Sequence, residues 1–379
     1  MELSEIRSRI DGIDQQLLRL FLQRMDLAED VAAYKREHSL PICNKPRERE
    51  ILREVMEASG DRERYSYQLF SLLMQLSRAR QAELMADTSS ALGAQLRAAL
   101  DTQPQTFPQT GLIACQGTEG SNSQAACDKL FPRGSLVYMK NFAAVFDAVE
   151  SGLCSFGVLP IENSSNGSVR AVYELLQHKH FSIVRSTRLC IRHELLALPG
   201  VAMEDIREIR SHPQAIGQCS HYLASLPGVQ VVPCANTALA AQEIARNQDR
   251  HAAAIASPAC RELYGLRCLN DRIQDSENNY TRFLCIARDP VIYSGANRLS
   301  LVLSCANRPG ALYDILGQLA ALGINMTKLE SCPVSGRDFE FLFFLELEAD
   351  LHSEGVLPML LELERSCESF QLLGHYAEV

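Results

Sequence analysis

Apolar positions recur in alternating steps of three and four from the start of the chain. Leu3, Ile6, Ile10, Ile13, Leu17, Leu20, Leu27, Val31 and Tyr34 form one stripe, with Arg24 standing where the pattern calls for an apolar residue. The spacing predicts a single helix over residues 3–38, interrupted in character only by Gly12. At about 1.5 Å per residue it would extend about 50 Å, more than a small domain covers, so a second copy of the chain is expected to cover part of it. Asn44 and Pro46 open a second helix through about Ser59, and a third runs from about Tyr65 to Met85. On the third, Phe70, Leu73, Ser77, Gln81 and Leu84 share one stripe, which puts a hydroxyl and an amide among core side chains.

Past residue 87 the pattern changes. Residues 88–110, rich in Ser, Thr, Gln and Pro, read as a linker with a short helix around Ala91 to Leu100. From Leu112, short apolar strands alternate with helical stretches: Ser155 to Ile161, Val169 to Gln177, Phe181 to Ile191, then strands at Glu208 to Arg210, Val229 to Val232 and Ala252 to Ala256. That is enough material for a two-lobed α/β domain over 111–288. Residues 299–379 follow the order strand, helix started at Arg308-Pro309-Gly310, two strands about Gly336, helix and strand, the ferredoxin-like α+β arrangement. The chain is therefore read as multidomain, with an all-α segment over 1–87 in front of these two.

Composition narrows the function. The 379 residues are 46% hydrophobic and 22% charged, which suits several ordinary cores. No apolar run has membrane-spanning length and the first residues lack a signal-peptide layout, so a cytoplasmic protein with no membrane partner is expected. Thirteen cysteines stand at no metal-knuckle or redox spacing and read as buried small hydrophobes, with neither zinc nor disulfides expected. A net charge of −9 argues against nucleic acid, so an anionic ligand must be drawn by local cations.

Such cations exist on the first helix. Arg24 and Lys35, eleven residues apart, differ by about 20° around the axis and lie about 16 Å apart along it, so their long side chains can close on one small anion. Arg7 lies about 25 Å from Arg24 and about 100° around, so it would serve a pocket of another copy. Arg47 and Glu48 open the second helix beside Ile51 and Leu52. Each polar group also fits a plainer account: a register-setting charge at Arg24, a solvated first turn at Arg47 and Glu48. Together they describe a cationic pocket without a nucleophile, suited to stabilising a dianion during an intramolecular rearrangement.

The set Ile6-Arg7, Gln23-Arg24, Lys35, Arg47-Glu48 and Ser77-x-x-x-Gln81 resembles the all-helical chorismate mutase family over residues 1–87. The resemblance implies an intertwined dimer. It also implies that Arg24, Arg47 and a second subunit's Arg7 handle carboxylates, with Ser77 assisting, that Lys35 and Gln81 hydrogen-bond the ether oxygen whose bond breaks, and that Glu48 holds the substrate hydroxyl. Asn44 stands where a member of the family can carry an aspartate near the ring hydroxyl.

Polar clusters mark the ends of the predicted α/β strands, where open sheets place ligands. Glu162 to Gly167 follows one strand, Ser211-His212-Pro213-Gln214 follows another, and Asn279-Tyr280-Thr281-Arg282-Phe283 is read as preceding a strand at Leu284 to Ala287. Gly117-Thr118-Glu119-Gly120-Ser121 opens a helix and could offer N–H groups to an anion. Any one cluster also reads as caps and turns, and His212 as a structural hydrogen-bonding group. Their order resembles the prephenate dehydratase catalytic domain, which implies Thr281 as the hydroxyl assisting loss of the ring hydroxide, Arg282 as a carboxylate contact, and Asn163, Ser164, Gln214 and Thr237 lining a cleft between lobes. The glycine loop carries Thr118 and Asn122 where many relatives have proline and an aromatic residue.

Asn307 to Leu312 and Leu329-Glu330-Ser331-Cys332-Pro333 are similar to ACT-type amino-acid-sensing motifs. That similarity implies phenylalanine bound across a domain dimer by Gly310, Ala311, Leu312, Asn325, Glu330 and Ser331. Cys332 replaces the usual arginine and so removes up to five donors. The three modules in this order resemble the chorismate mutase/prephenate dehydratase family of phenylalanine biosynthesis. Chorismate and prephenate are then the substrates, phenylalanine the effector, and a homodimer or larger homo-oligomer the expected assembly, with no metal and no organic cofactor. The competing readings are a second site acting on arogenate and a phenylalanine-binding regulator with degenerate sites.

Overall fold

A computed structural model describes residues 2–38, 40–85, 90–104, 106–179, 181–333 and 341–379. The turn expected about Gly336, and residues 88 and 89 at the start of the expected linker, lie outside the described residues. The chain forms two compact units, one of 1–101 with 299–372, the other of 102–298 with 373–379.

In the first unit, α1 (Leu3–Glu37), α2 (Lys45–Ser59) and α3 (Glu63–Met85) follow the predicted bounds within two residues. Asn44 caps α2, its Oδ1 accepting from the Arg47 N–H at 3.2 Å, and Pro46 fits the first turn because it has no N–H to satisfy. The apolar stripe of α1 is not a core within one chain. Ala28 and Ala32 are its buried residues, whereas Leu3 is 60% and Leu27 62% exposed, because α1 packs along one side against α3. Arg24, expected at a core position, is half-buried. The expected linker contains α4 (Ala91–Asp101), which buries Gly93, Leu96 and Ala99 and is a packed element.

In the second unit, β1 (Leu112–Gln116), α5 (Asn122–Leu130), β2 (Ser135–Met139), α6 (Phe142–Glu150) and β3 (Phe156–Asn163) alternate as the sequence predicts. A short β4 (Gly167–Ser168) folds back on β3, followed by α7 (Arg170–Leu176) and β5 (Ser182–Cys190). The chain then builds β6 (Glu194–Ala197), β7 (Glu208–Ser211), α8 (Pro213–Gln218), α9 (Ser220–Ala224) and β8 (Gln230–Pro233). After α10 (Thr237–Asn247), β9 (Ala252–Ala256), α11 (Ala259–Leu263) and β10 (Arg267–Asn270), it returns through β11 (Tyr280–Ala287). One sheet runs β5-β11-β3-β1-β2 and the other β10-β6-β9-β7-β8. Each has its own core, around Ile113, Val158, Phe283 and Phe131 in the first and Leu195, Ile209, Ile244 and Ile255 in the second.

β11 is antiparallel to both β3 and β5, with Thr281 opposite Asn163 and Arg282 opposite both Glu162 and Arg188. This corrects the expectation that residues 279–283 precede the strand. Tyr280 to Phe283 are already strand residues, and the period of two sends Thr281 and Arg282 to opposite faces.

The remaining elements are β12 (Arg298–Ser304), α12 (Ala311–Ala321), β13 (Asn325–Pro333), β14 (Phe341–Glu348), α13 (Val356–Ser366) and β15 (Ser369–Glu378), in strand order β13-β14-β12-β15. Both α12 and α13 pack on α3, and α13 also on α4. Gly317 permits this approach. A Cβ there would come within 1.6 Å of the Gln75 Nε2, which donates to the Asp314 carbonyl at 3.3 Å. One expectation is corrected: Pro309 does not start α12, which is capped instead by Gly310 at φ +82°. β15 neighbours β12, and its residues 373–379 fall within the second unit, where it also runs parallel to β5 with Ala377 opposite Arg185.

Candidate active sites

On the helical segment, both cations of α1 reach α3. The Arg24 Nη1 donates to the Leu73 carbonyl at 2.9 Å and closely to the Ser77 hydroxyl. The Lys35 Nζ donates to the Gln81 Oε1 at 2.9 Å and to the Ile42 carbonyl at 2.5 Å. Ser77 and Gln81 are buried and stand one turn apart, about 6 Å, so two cations spaced about 16 Å apart on α1 converge on a short stretch of α3. Burial lowers the pKa of both cations, as desolvation disfavours the charged form.

The first turn of α2 divides its polar groups. Glu48 turns inward and pairs with Arg78 at 2.6 Å, whereas Arg47 is exposed and pairs with Glu50. Arg47 is therefore not brought to Arg24 and Lys35, because neighbours on a helix point about 100° apart and only one can face α3. The Asn44 side chain is used as the cap, and Arg7 is exposed on α1. Arg78 escaped the sequence reading. It lies one residue past the Ser77 stripe, and no periodicity marks a cation there as inward-facing.

In the α/β unit the polar clusters meet around Asn163. The Asn163 Oδ1 accepts from the Ser165 and Asn166 N–H groups at 3.0 and 3.1 Å, which fixes the amide orientation. Its Nδ2 then faces Thr281 Oγ1 at 2.9 Å and Asn279 Oδ1 at 2.8 Å. Gln218 extends the network, donating to Asn163 Oδ1 at 3.4 Å and accepting from Asn279 Nδ2 at 2.9 Å, while the buried His193 Nε2 lies 2.9 Å from the Gln218 Oε1. Burial lowers the His193 pKa, so the neutral ring with its proton on Nε2 fits as donor.

Several expected contacts are redistributed. Gln214 is exposed, and Gln218, one turn further along α8, takes its place in the network. Ser164 is spent on the hairpin: its hydroxyl donates to the Asn278 carbonyl at 2.7 Å and accepts from the Tyr280 N–H at 2.9 Å. His212 caps α8 by accepting from the Gln214 N–H at 3.2 Å, with its pKa lowered by burial, as the structural reading holds. Thr237 opens α10 behind the Asn236 cap, outside the Asn163 network. Arg282 does not stand beside Thr281. It is 3% exposed on the other face and pairs with Glu162 at 2.7 Å. The glycine loop is no open anion cradle, because the N–H groups of Gly117, Gly120 and Ser121 bond to Met139, Gln124 and Thr118. Its role is contact between the lobes. Ser257 Oγ and Tyr264 OH donate to the Gly120 and Glu119 carbonyls, and a Cβ on Gly120 would meet the Cys260 sulfur at 2.8 Å.

Asn279 belongs to the polar cluster at 279–283, whereas Gln218 and His193 carry no local sequence signal, being joined to Asn163 by tertiary contact alone. Near the C-terminus, Gly310 and Ala311 form the start of α12, with Leu312 half-buried in its first turn. The Asn325 Nδ2 donates to Glu348 at 2.7 Å, and on β13 Ser331 is exposed while Glu330 is half-buried and Cys332 is buried.

Comparison with known proteins matches both segments. A family model described as prephenate dehydratase matches residues 113–291, and one described as chorismate mutase type II matches residues 6–82. The arogenate dehydratase/prephenate dehydratase 2 (chloroplastic) of Arabidopsis thaliana is 40% identical over 276 residues, 70% of this chain and 72% of its own. A prephenate dehydratase from Arthrobacter aurescens, solved in complex with L-Phe, aligns at a TM-score of 0.65 and 27% identity, covering 70% of this chain and 90% of that one. These two relatives each cover only part of the chain. The bifunctional chorismate mutase/prephenate dehydratase of Escherichia coli (strain K12) spans both, at 30% identity over 98% of this chain and 95% of its own. The two segments are thus parts of one known pairing, and this chain belongs to the bifunctional chorismate mutase/prephenate dehydratase family.

Proposed function

We propose that the chain converts chorismate to prephenate in its helical segment and prephenate to phenylpyruvate in its α/β unit. In the first step an ether C–O bond breaks as a C–C bond forms within one molecule, and charge builds on the ether oxygen. Of the three Lys35 protons, two are engaged by Gln81 and Ile42; the third and the Gln81 NH₂ are disposed to meet that oxygen. Arg24 has donors beyond those given to Leu73 and Ser77 for a carboxylate, and Glu48, steadied by Arg78, is the acceptor for the substrate hydroxyl. Arg47 and a second copy's Arg7 complete the anion contacts on assembly, and Asn44 stands near the ring hydroxyl. The exposed stripe of α1 supports an intertwined dimer, since burying each such side chain fully is worth about 1.5–3 kcal/mol.

The observation that carries the second step is the Asn163 amide donating to the Thr281 oxygen. With its lone pair so engaged, the hydroxyl directs its own proton outward and is made more acidic. As the ring carboxylate leaves as CO₂, the electron pair enters the ring and expels the ring hydroxide, which takes the Thr281 proton and departs as water. The ring becomes aromatic. Asn163, Gln218 and Asn279 hold the hydroxyl in line, and Ser164, Gln214 and Thr237 are supporting residues of this cleft, with Arg282 behind it on the other face of β11.

The segment 299–379 is read as an ACT-type sensor for phenylalanine. Asn325, whose NH₂ is held by Glu348, turns its carbonyl oxygen to an ammonium, with Gly310, Ala311, Leu312, Glu330 and Ser331 around the ligand. The L-Phe complex of the A. aurescens relative favours this effector. The test is a coupled assay, chorismate in and phenylpyruvate out, with and without phenylalanine. Absence of turnover would leave the degenerate-regulator reading. The A. thaliana relative, whose name includes arogenate, favours a second reading of the α/β site, decided by comparing turnover of prephenate and arogenate.

A further inference from the structure

Behind Thr281, on the opposite face of β11, lies a cluster of charges that the proposed chemistry does not use. Arg282 and Arg188 are direct cross-strand neighbours, an arrangement of like charges that is unfavourable by itself. Two carboxylates flank them. Glu162 on β3 pairs with Arg282 Nε at 2.7 Å. Glu378 on β15 lies 3.0 Å from Arg188 Nε, 3.8 Å from Arg282 Nη1 and 3.6 Å from Arg298 Nη2, and accepts from the Ser186 hydroxyl at 3.4 Å. Among the described residues, Arg188, Arg282, Arg298, Glu162 and Glu378 thus tie β15, β5, β11, β3 and the start of β12 together. The register between β11 and β3 shifts between Arg282 and Phe283, immediately beside the Thr281–Asn163 pair. Such an irregularity re-aims side chains and must be held in place.

We infer that Glu378 is a positioning residue of the dehydratase centre: by neutralising the opposed Arg188 and Arg282 it holds the β3–β11 irregularity in the form that sets Thr281 against Asn163. Without it, Arg282, buried and facing Arg188, loses the carboxylate it shares with Arg188, draws away from β5 and carries the adjacent Thr281 with it. The inference rests on Thr281 being the proton donor.

The test uses the full chain with prephenate and chorismate as separate substrates. Glu378→Gln should lower kcat for prephenate about ten-fold with KM changed less than about two-fold, as expected when a reacting group is misplaced by a fraction of an ångström. Mutase turnover should be unaltered. Adding Arg188→Gln restores the charge balance and should return kcat to within about three-fold of the parent. Wild-type kcat in Glu378→Gln, or a loss confined to KM, overturns the inference, as does a double variant no better than the single. Should Glu378→Gln not accumulate as folded protein, Glu378→Asp is read in its place: retracting the carboxylate by one methylene should cost about three-fold in kcat, and an undiminished kcat overturns the inference. A Thr281→Ala control separates the two claims. If that variant keeps its rate, the proton-donor reading itself is wrong; if it is inactive while Glu378→Gln is unaffected, only the positioning role falls.

Discussion

The helical segment and the α/β unit solve the problem of burying polar chemistry in different ways. In the α/β unit, strands such as β1 and β9 are buried throughout their middles, and Asn163 makes contacts to β11 and α8 from the same chain. Its network is complete within one copy. On α1, by contrast, Leu27 is 62% and Tyr34 58% exposed, and the polar groups of α3 are met by cations on one side only. The exposed stripe of α1 leaves apolar surface for a second copy to cover. Dehydration should therefore depend on the fold of a single chain, and mutase activity on association.

The sharpest break of that comparison is Thr281→Ala. It should reduce phenylpyruvate formation by roughly 10²–10⁴-fold, the usual range for a lost general acid, while prephenate still accumulates from chorismate. Thr281→Ser should retain part of the rate, and equal activity of both variants in a prephenate assay would make the threonine structural. On the other segment, Lys35→Ala or Gln81→Ala should cost at least about 100-fold in mutase rate and spare dehydration, since each removes a preorganised donor to a developing oxyanion. Equal loss of both activities would indicate unfolding.

Lys35 also gives the comparison a pH axis. Its pKa is held below the ordinary 10.5 by burial, so the ammonium needed in the mutase pocket is lost earlier than for an exposed lysine as pH rises. The mutase pH–rate profile should fall on its alkaline side before dehydration does, and coincident limbs would remove Lys35 as the cause. A smaller effect is expected from subunit mixing. Arg7→Ala and Arg24→Ala chains, each inactive alone, should regain some mutase activity together, because a mixed dimer holds one intact pocket. No regain despite demonstrated subunit exchange would place Arg7 outside the site.

The smallest effect concerns Cys332. It is buried on β13, which stands at the edge of its sheet, so an introduced arginine can run its stem along the strand and bring its head to the rim. Cys332→Arg is expected to strengthen phenylalanine inhibition a few-fold by adding contacts to one conformation of the enzyme. Identical inhibition curves for dehydration would make Cys332 neutral.

Much of this was fixed by local pattern. Helical periodicity alone put Ser77 and Gln81 on the inner stripe of α3 and Arg24 and Lys35 on one face of α1, and cap chemistry placed Asn44 at the start of α2. Those are properties of i, i+3 and i+4 neighbours, which any helix must honour. What only the tertiary structure decided were relations with no local signature. Arg282 could not be separated from Thr281 until the start of β11 fixed which face each takes. Gln218 displaced Gln214, and Arg78 rather than the solvent met Glu48, because other segments approach there. The crossing of residues 373–379 into the second unit likewise follows from strand pairing with β5, a long-range contact whose partner no apolar alternation names.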